Sequence, residues 1–174
     1  MHYGNIKNTD IANGIGVRVT LFVSGCNRHC KNCFNKETWD FNFGKEFTTE
    51  TQDMIIEMLK PSYITGLTLL GGEPLEKENQ KGILPLIKKV RTIYGNSKTI
   101  WCYTGYTYEK DLVPGGIIYS DTTKEILDNI DVLVDGPFID EKKNISLKFR
   151  GSENQRIIDV KKTLKEKCVV LYME

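Results

Sequence analysis

The stretch Cys26-Asn27-Arg28-His29-Cys30-Lys31-Asn32-Cys33 brings three cysteines together shortly after an apolar run at residues 17–23. Thiols this close in sequence usually share a metal. Three thiolates on one loop can hold three irons of a four-iron–four-sulfur cluster and leave the fourth iron open to an outside ligand. The spacing therefore predicts an iron–sulfur cluster on this loop, bound by Cys26, Cys30 and Cys33.

Two other uses of these cysteines stay open at this point. A structural zinc site takes four ligands, and His29 could complete such a set if the loop folded around one ion. The remaining cysteines, Cys102 and Cys168, lie far along the chain. A disulfide framework fits poorly, because five cysteines are an odd number and nothing in the chain indicates an oxidising compartment.

The bulk properties favour one domain of ordinary size that spans residues 1–174. A chain of 174 residues with 40% hydrophobic residues can bury a substantial core. The formal net charge of +1 leaves no basic surplus for phosphates, so a nucleic acid is not the expected partner. The chain shows neither a signal peptide nor a run of about 20 apolar residues. We therefore expect a cytoplasmic protein without a membrane contact.

Strand patterns and helix patterns alternate along the chain. Runs rich in β-branched and other apolar residues predict strands at residues 17–23, 67–70, 99–103, 132–134, 157–160 and 169–172. Helices are predicted from Thr48 or Thr49 to Lys60, over an apolar face at residues 83–93 that ends near Gly95, and from Asp121 to Asn129. Residues 3–16 and 108–119 carry turn signals and are predicted to be irregular.

This alternation predicts an α/β fold with a parallel sheet. A complete eight-stranded barrel takes about 250 residues, so this chain is expected to form an open, partial (β/α) barrel. In such folds the chemistry collects at the carboxyl ends of the strands. The motifs at these ends are residues 26–33, 71–74 and 104–106 and Asp135. Their shared position predicts a single site.

The 71–74 motif, Gly-Gly-Glu-Pro, has two interpretations. It can be a simple turn, which is the more common use of such a sequence. Alternatively, Gly71 and Gly72 let backbone groups approach a ligand closely, and the Glu73 carboxylate accepts a hydrogen bond from an ammonium group. The second interpretation fits a site at the end of the 67–70 strand.

The spacing C-x-x-x-C-x-x-C resembles the cluster loop of the radical S-adenosylmethionine enzymes. Further motifs, in the same order over most of the chain, are similar to one family within them, the anaerobic ribonucleoside-triphosphate reductase activating proteins. These motifs are N-G-I-G-V-R at residues 13–18, L-F-V-S-G-C at 21–26, C-F-N at 33–35, T-W at 38–39, G-G-E-P at 71–74, Y-T-G-Y at 103–106, V-L-V-D-G at 132–136 and R-G-S-x-N-Q at 150–155.

The resemblance implies one radical S-adenosylmethionine domain over residues 1–174, with a 4Fe-4S cluster on the three cysteines and S-adenosylmethionine bound beside it. It implies no residue in the role of a catalytic group. Many radical enzymes carry an aromatic residue just before the third cysteine, whereas here Asn32 precedes it and Phe34 follows it. The cofactor contacts carried over by motif are Asn32, Cys33 and Phe34 around S-adenosylmethionine, Gly71, Gly72 and Glu73 at its methionine part, and Thr104 and Asp135 at its ribose or amino group.

The resemblance also implies the activity. The protein would be an oxidoreductase that takes an electron from a low-potential donor, cleaves S-adenosylmethionine reductively and generates a glycyl radical on the large subunit of the reductase. Three alternatives remain: an activase of a different glycyl-radical enzyme, a non-catalytic zinc-binding module, and a radical enzyme acting on a small molecule. The short chain argues mildly against the last, because a partial barrel leaves its mouth open for a large substrate.

Overall fold

The computed structural model describes residues 1–173, so the predicted domain end at residue 174 lies just outside the described part. This part contains eight strands: β1 (His2–Asp10), β2 (Val17–Val23), β3 (Lys45–Glu46), β4 (Ile64–Gly71), β5 (Thr99–Tyr103), β6 (Val132–Asp135), β7 (Arg156–Asp159) and β8 (Leu171–Met173). It also contains five α-helices: α1 (Thr49–Met58), α2 (Lys77–Tyr94), α3 (Tyr108–Asp111), α4 (Asp121–Asn129) and α5 (Val160–Glu166).

All eight strands form one open sheet in the order β3-β1-β2-β4-β5-β6-β7-β8. The α/β class predicted from the sequence is confirmed. The four central strands, β2, β4, β5 and β6, run parallel, because each connection between them carries at least one helix and crosses back over the sheet. Their carboxyl ends therefore meet at one edge.

The prediction of a parallel sheet is wrong at both ends of the strand order. Strand β1 pairs antiparallel with β2 and with β3, and β7 pairs antiparallel with β6 and with β8. The segment predicted to be irregular at residues 3–16 contains most of β1. The strand could not be predicted from its polar composition, because backbone hydrogen bonds to two neighbouring strands stabilise β1 without an apolar run.

Helix boundaries differ slightly from the predictions. Helix α1 begins after Thr48, whose side chain and that of Thr51 form a reciprocal cap, and it ends at Met58, two residues before the predicted end. Ser120, one residue before the predicted cap Asp121, caps α4. The 108–119 segment contains the short helix α3 and is otherwise irregular, in partial agreement with the prediction.

The two faces of the sheet differ in chemistry because successive side chains point to opposite sides. One face carries apolar side chains that pack with buried residues of α1, α2 and α4, among them Ile55, Ile83, Leu86 and Ile126. The other face carries buried polar and aromatic side chains, including Arg18, Thr20, Thr68 and Trp101. No helix in the described residues is long and apolar enough to cross a membrane.

Arg18 is fully buried on the polar face and joins three strands. Burial lowers the pKa of its guanidinium to about 10, and the group lies over the Trp101 ring at 5.5 Å from the ring centroid. It donates five hydrogen bonds, to Thr68 Oγ1 at 2.7 Å, Ile15 O at 3.1 Å, Thr99 Oγ1 at 3.0 Å, Leu67 O at 2.7 Å and Thr99 O at 2.9 Å. Strands β2, β4 and β5 are thereby connected through one side chain.

We expect Arg18→Met to lower the free energy of unfolding by about 3 kcal/mol, because the acceptors on β4 and β5 would stay buried without a donor. Urea denaturation of the protein under anaerobic conditions measures this. The exposed Lys60 provides the control, and Lys60→Met should change stability by no more than about 0.5 kcal/mol. Equal stability of the Arg18 variant and the parent would contradict the assignment.

Candidate functional site

A pocket with a volume of about 440 Å³ lies at the carboxyl ends of the central strands. Three segments form its walls: the cysteine loop after β2, the ends of β4 and β5 with their following loops, and a segment that we call the strap, residues 137–155. The predicted site residues that line it are Cys26, Cys30, Asn32, Cys33, Phe34, Gly71, Gly72 and Thr104. Glu73 and Asp135 are not part of the lining.

The three cysteine thiols of the loop line this pocket together. Cys26 is buried and Cys30 and Cys33 are half-buried, and none of the cysteines in residues 1–173 forms a disulfide. His29 and Asn32 adopt left-handed backbone conformations, with φ of 46° and 54°, which are uncommon for residues other than glycine. His29 directly precedes Cys30 and Asn32 directly precedes Cys33, so these conformations set the course of the loop at its second and third cysteines. Three free thiols on one pocket wall fit a cluster that leaves one iron open.

Three further observations bear on metal binding by the loop. Burial raises the pKa of the Cys26 thiol to about 11, so this thiol keeps its proton unless a nearby cation compensates the thiolate charge. The His29 ring stacks on Trp39, with ring centroids 4.5 Å apart. No three His, Cys, Asp or Glu side chains in the described part of the chain are grouped so as to hold a metal ion.

The side chain of Glu76 holds the start of the cysteine loop. Its buried carboxylate accepts hydrogen bonds from the Asn27 N–H at 3.0 Å, from Asn27 Nδ2 at 3.2 Å and from the Tyr106 hydroxyl at 3.3 Å. The Tyr106 ring in turn lies under the Arg28 guanidinium, 4.8 Å from the ring centroid. The start of the cysteine loop is therefore held by Glu76, directly before α2, and by Tyr106 in the loop after β5.

The two glycines after β4 make close backbone contacts. The Gly72 N–H donates to Val23 O at 2.8 Å, and the Glu73 N–H donates to Gly25 O at 2.9 Å. A Cβ atom on Gly71 would lie 2.6 Å from Val23 O, and one on Gly72 would lie 2.7 Å from Gly25 O. Gly71 also has a φ of 115°, which other residues rarely adopt. The glycines thus allow the cysteine loop itself to approach, besides presenting backbone to the pocket.

The Glu73 side chain is buried, does not belong to the pocket lining and holds the neighbouring loop. Its carboxylate accepts hydrogen bonds from the Leu75 N–H at 3.0 Å, the Thr104 hydroxyl at 2.8 Å and the Gly105 N–H at 2.7 Å. Burial raises the pKa of Glu73 to about 7, although these three donors oppose the shift. Because its acceptor sites are used by the chain, Glu73 is placed to support the pocket.

Thr104 and Asp135 occupy different environments. Thr104 lines the pocket, and its backbone N–H donates to Val134 O at 2.8 Å. Asp135 is fully buried and accepts hydrogen bonds from Arg156 Nε at 2.9 Å and from the Tyr108 N–H at 2.8 Å. The Asp135 carboxylate therefore connects β6 to β7 and α3, and lies outside the pocket lining.

Sequence reasoning missed most of the strap. The charged composition of residues 140–144 is typical of a solvated loop, yet Lys143 and Asn144 line the pocket together with Phe138, Ile145, Leu147, Arg150, Gly151 and Gln155. The strap is attached to the cysteine loop by Lys31 Nζ to Glu141 Oε1 at 2.9 Å and Asn32 Nδ2 to Asp140 Oδ2 at 2.8 Å. The sequence signal for it was the R-G-S-x-N-Q motif at residues 150–155.

Comparisons with known proteins show which proteins this chain is similar to. Residues 12–158 match the family described as "4Fe-4S single cluster domain". The chain is 42% identical over 159 residues to the anaerobic ribonucleoside-triphosphate reductase-activating protein of Vibrio cholerae, covering 90% of this chain and 97% of the relative. The proteins of the same name from Escherichia coli K12 and phage T4 are 40% identical over 157 residues and 39% over 161, covering 89% and 90% of this chain and 96% and 93% of the relatives.

We expect Glu76→Ala to lower the amount of iron and sulfide that the protein binds on reconstitution, because Asn27 and Tyr106 lose their shared acceptor and the cysteine loop loses its anchor. Glu76→Gln keeps one carbonyl oxygen and should bind an intermediate amount. Iron and sulfide analysis with visible absorption measures the result. Full binding by both folded variants would contradict the anchoring role of Glu76.

Proposed function

Because the chain belongs to the family of anaerobic ribonucleoside-triphosphate reductase-activating proteins, we propose that it activates this reductase by generating a glycyl radical on it. The observation that carries the proposal is the shared pocket, where Cys26, Cys30 and Cys33 lie beside Gly71 and Gly72. Thiols and close-approaching backbone groups on one pocket wall are what a cluster with a chelating ligand requires. We propose that the activity is that of a radical S-adenosylmethionine oxidoreductase.

The chain's residues have separate roles in this proposal. A 4Fe-4S cluster on the three cysteines would supply the electron for reductive cleavage of S-adenosylmethionine to methionine and a 5′-deoxyadenosyl radical, which removes a hydrogen atom from a glycine of the reductase. Gly71 and Gly72 offer backbone groups to the methionine part. Asn32, Cys33, Phe34 and Thr104 surround the rest of the ligand. The electron comes from a low-potential donor.

Glu73 and Asp135 are assigned a supporting role, which differs from the contact role that the resemblance implies. Glu73 already accepts three hydrogen bonds from the chain, and Asp135 is paired with Arg156. A direct contact with S-adenosylmethionine would have to compete with these partners. We therefore propose that Glu73 orients the loops around the methionine part and that Asp135 fixes the end of β6.

The architecture supports the same proposal. Four parallel strands with helical crossovers, and a pocket at their carboxyl ends, are what an open, partial (β/α) barrel of the radical S-adenosylmethionine type requires. We propose that residues 1–174 form one such domain and that the protein acts in the cytoplasm. Among the alternatives, the names of the relatives favour the ribonucleotide reductase as the target over another glycyl-radical enzyme. A zinc-binding module remains the non-catalytic alternative.

The proposal is tested by reconstituting the protein anaerobically with iron and sulfide, reducing it and adding S-adenosylmethionine with the reductase. We expect 5′-deoxyadenosine in the products and a glycyl radical signal by electron paramagnetic resonance. Cys30→Ala should abolish both, because a cluster with two protein ligands is not retained. Cys168→Ala is the matched control, since this exposed cysteine is remote from the pocket lining, and it should leave both unchanged.

The possible outcomes separate the competing functions. A well-reconstituted protein that forms no 5′-deoxyadenosine with the reductase present contradicts the activase proposal. Tightly bound zinc in the purified protein would favour the non-catalytic module. Formation of 5′-deoxyadenosine without a radical on the reductase would point to a different glycyl-radical enzyme or to a small-molecule substrate.

The rim of the pocket supports a protein as the substrate. Phe34 and Ile145 are the two most exposed large hydrophobic side chains in residues 1–173, at 98% and 92%, and both line the pocket. They lie on different segments, the cysteine loop and the strap. Exposed apolar side chains beside a functional pocket mark a surface that a partner covers. We propose that the glycine-bearing segment of the reductase packs on this rim.

Ile145→Ser should weaken binding of the reductase roughly tenfold to hundredfold, because an isoleucine buried on binding contributes about 1.5–3 kcal/mol. Formation of 5′-deoxyadenosine in the absence of the reductase should stay unchanged, since Ile145 has no proposed role in the cleavage. Ile117→Ser, at a side chain that is 71% exposed and remote from the pocket, is the control. Equal affinity of all three proteins for the reductase would remove the rim from the interface.

A further inference from the structure

The pocket has a marked excess of hydrogen-bond donors. Eight buried side-chain nitrogen or oxygen atoms in the described residues have no hydrogen-bond partner, and four of them belong to residues that line the pocket. These four are Arg28 Nε, Trp39 Nε1, the Tyr103 hydroxyl and Arg150 Nε, and each can donate. Arg28, Lys143 and Arg150 give the lining three positive charges, and it contains no carboxylate. The pocket is therefore complementary to an electron-rich group.

The three cations are not equivalent. Arg28 lies between Cys26 and Cys30 in the sequence, and its guanidinium packs on the Tyr106 ring. Lys143 is exposed at the rim. Arg150 is half-buried on the strap and forms no ion pair within residues 1–173. None of the three forms an ion pair within residues 1–173, but Arg28 lies over an aromatic ring and Lys143 is exposed, so Arg150 is the half-buried cation of the pocket with neither kind of partner.

A nearby arginine, Arg156, is used differently from Arg150. Arg156 lies six positions further along the chain and is paired with Asp135 and Glu109. These two carboxylates raise the pKa of Arg156, and its guanidinium is used for contacts within the protein. Arg156 thus forms structural ion pairs, whereas Arg150 presents its hydrogen-bond donors to the pocket.

The backbone holds Arg150 in place before any ligand binds. Phe149 has a left-handed conformation with a φ of 59°, and its ring packs edge-on against Trp101 at a centroid distance of 5.6 Å. Arg150 Nη1 donates to Gln155 O at 2.8 Å, and Gln155 Oε1 accepts from the Gly151 N–H at 2.8 Å. A non-glycine residue in this conformation is strained, and such strain is typically kept at binding sites.

We propose that Arg150 binds the carboxylate of S-adenosylmethionine, and this inference rests on the proposed function. A guanidinium with a buried, unpartnered Nε matches a carboxylate oxygen better than an ammonium group would, because its donors lie in one rigid plane. Binding would also attach the strap to the ligand. Arg150 is therefore a binding residue for the proposed reaction, on a segment that the cysteine motif does not include.

The test measures S-adenosylmethionine affinity of the reconstituted protein by equilibrium dialysis. Arg150→Gln should weaken binding about tenfold to a hundredfold, as expected for a lost hydrogen bond to a charged group, while iron content stays unchanged. Arg150→Lys should lie between, since it keeps the charge and loses the planar geometry. Lys148→Gln removes the same charge two positions away at an exposed residue outside the lining, and it should bind like the parent.

Decarboxylated S-adenosylmethionine, measured by competition so that weak binding is quantified, identifies the group recognised. Its affinity should differ by less than about threefold between the parent and Arg150→Gln, because the group that Arg150 binds is missing. Equal affinity of the parent and Arg150→Gln for S-adenosylmethionine overturns the inference. An equal loss for both ligands overturns the carboxylate assignment.

Two further outcomes locate a failure. If Arg150→Gln binds S-adenosylmethionine normally but binds the reductase more weakly, the arginine recognises an acidic group of the reductase and the inference is overturned. If the parent with a complete cluster binds no S-adenosylmethionine, the proposed function fails together with the inference. Normal binding by the parent and by every variant leaves the proposed function intact and removes only the role of Arg150.

Discussion

The buried carboxylate of Glu73 connects the segments on which the pocket depends. It accepts hydrogen bonds from Thr104 and Gly105 after β5, while the Glu73 N–H donates to Gly25 beside the first cysteine. Leaving a buried donor without its acceptor is costly. The loop after β4, the loop after β5 and the start of the cysteine loop are therefore held in fixed relative positions, although none of the three is a helix or a strand. Gly72 completes this arrangement, because no larger residue fits against Gly25 O.

The cysteine loop is shaped by the protein and not by a metal alone. Glu76 holds its first turn, and left-handed conformations at His29 and Asn32 direct the rest. A loop that is ordered in advance loses less conformational entropy when a ligand binds. The far side of the same loop is different, because Phe34 is almost completely exposed. The ordered cysteine Cys33 and the exposed rim residue Phe34 are thus direct neighbours in the sequence.

The central strands and the cysteine loop could be predicted from the sequence because their signals are local. A strand rich in β-branched and aromatic residues can be recognised from sequence, as in Val17–Val23, and closely spaced cysteines need no tertiary information. Strand β1 could not be predicted, since its polar residues form a strand only through pairing with β2 and β3. The strap also depends on distant contacts, such as Phe149 with Trp101, which no short sequence pattern records.

Arg18 has a consequence for the order in which the molecule folds. Its hydrogen bonds to Thr68 and Thr99 span 50 and 81 positions of the chain. A guanidinium that loses its water before these acceptors are in place is strongly unfavourable, so a sheet with only two of the three strands docked gains little stability. The centre of the sheet should therefore assemble cooperatively. The three cysteines of the loop are gathered into one pocket only in molecules whose strands β2, β4 and β5 are already joined.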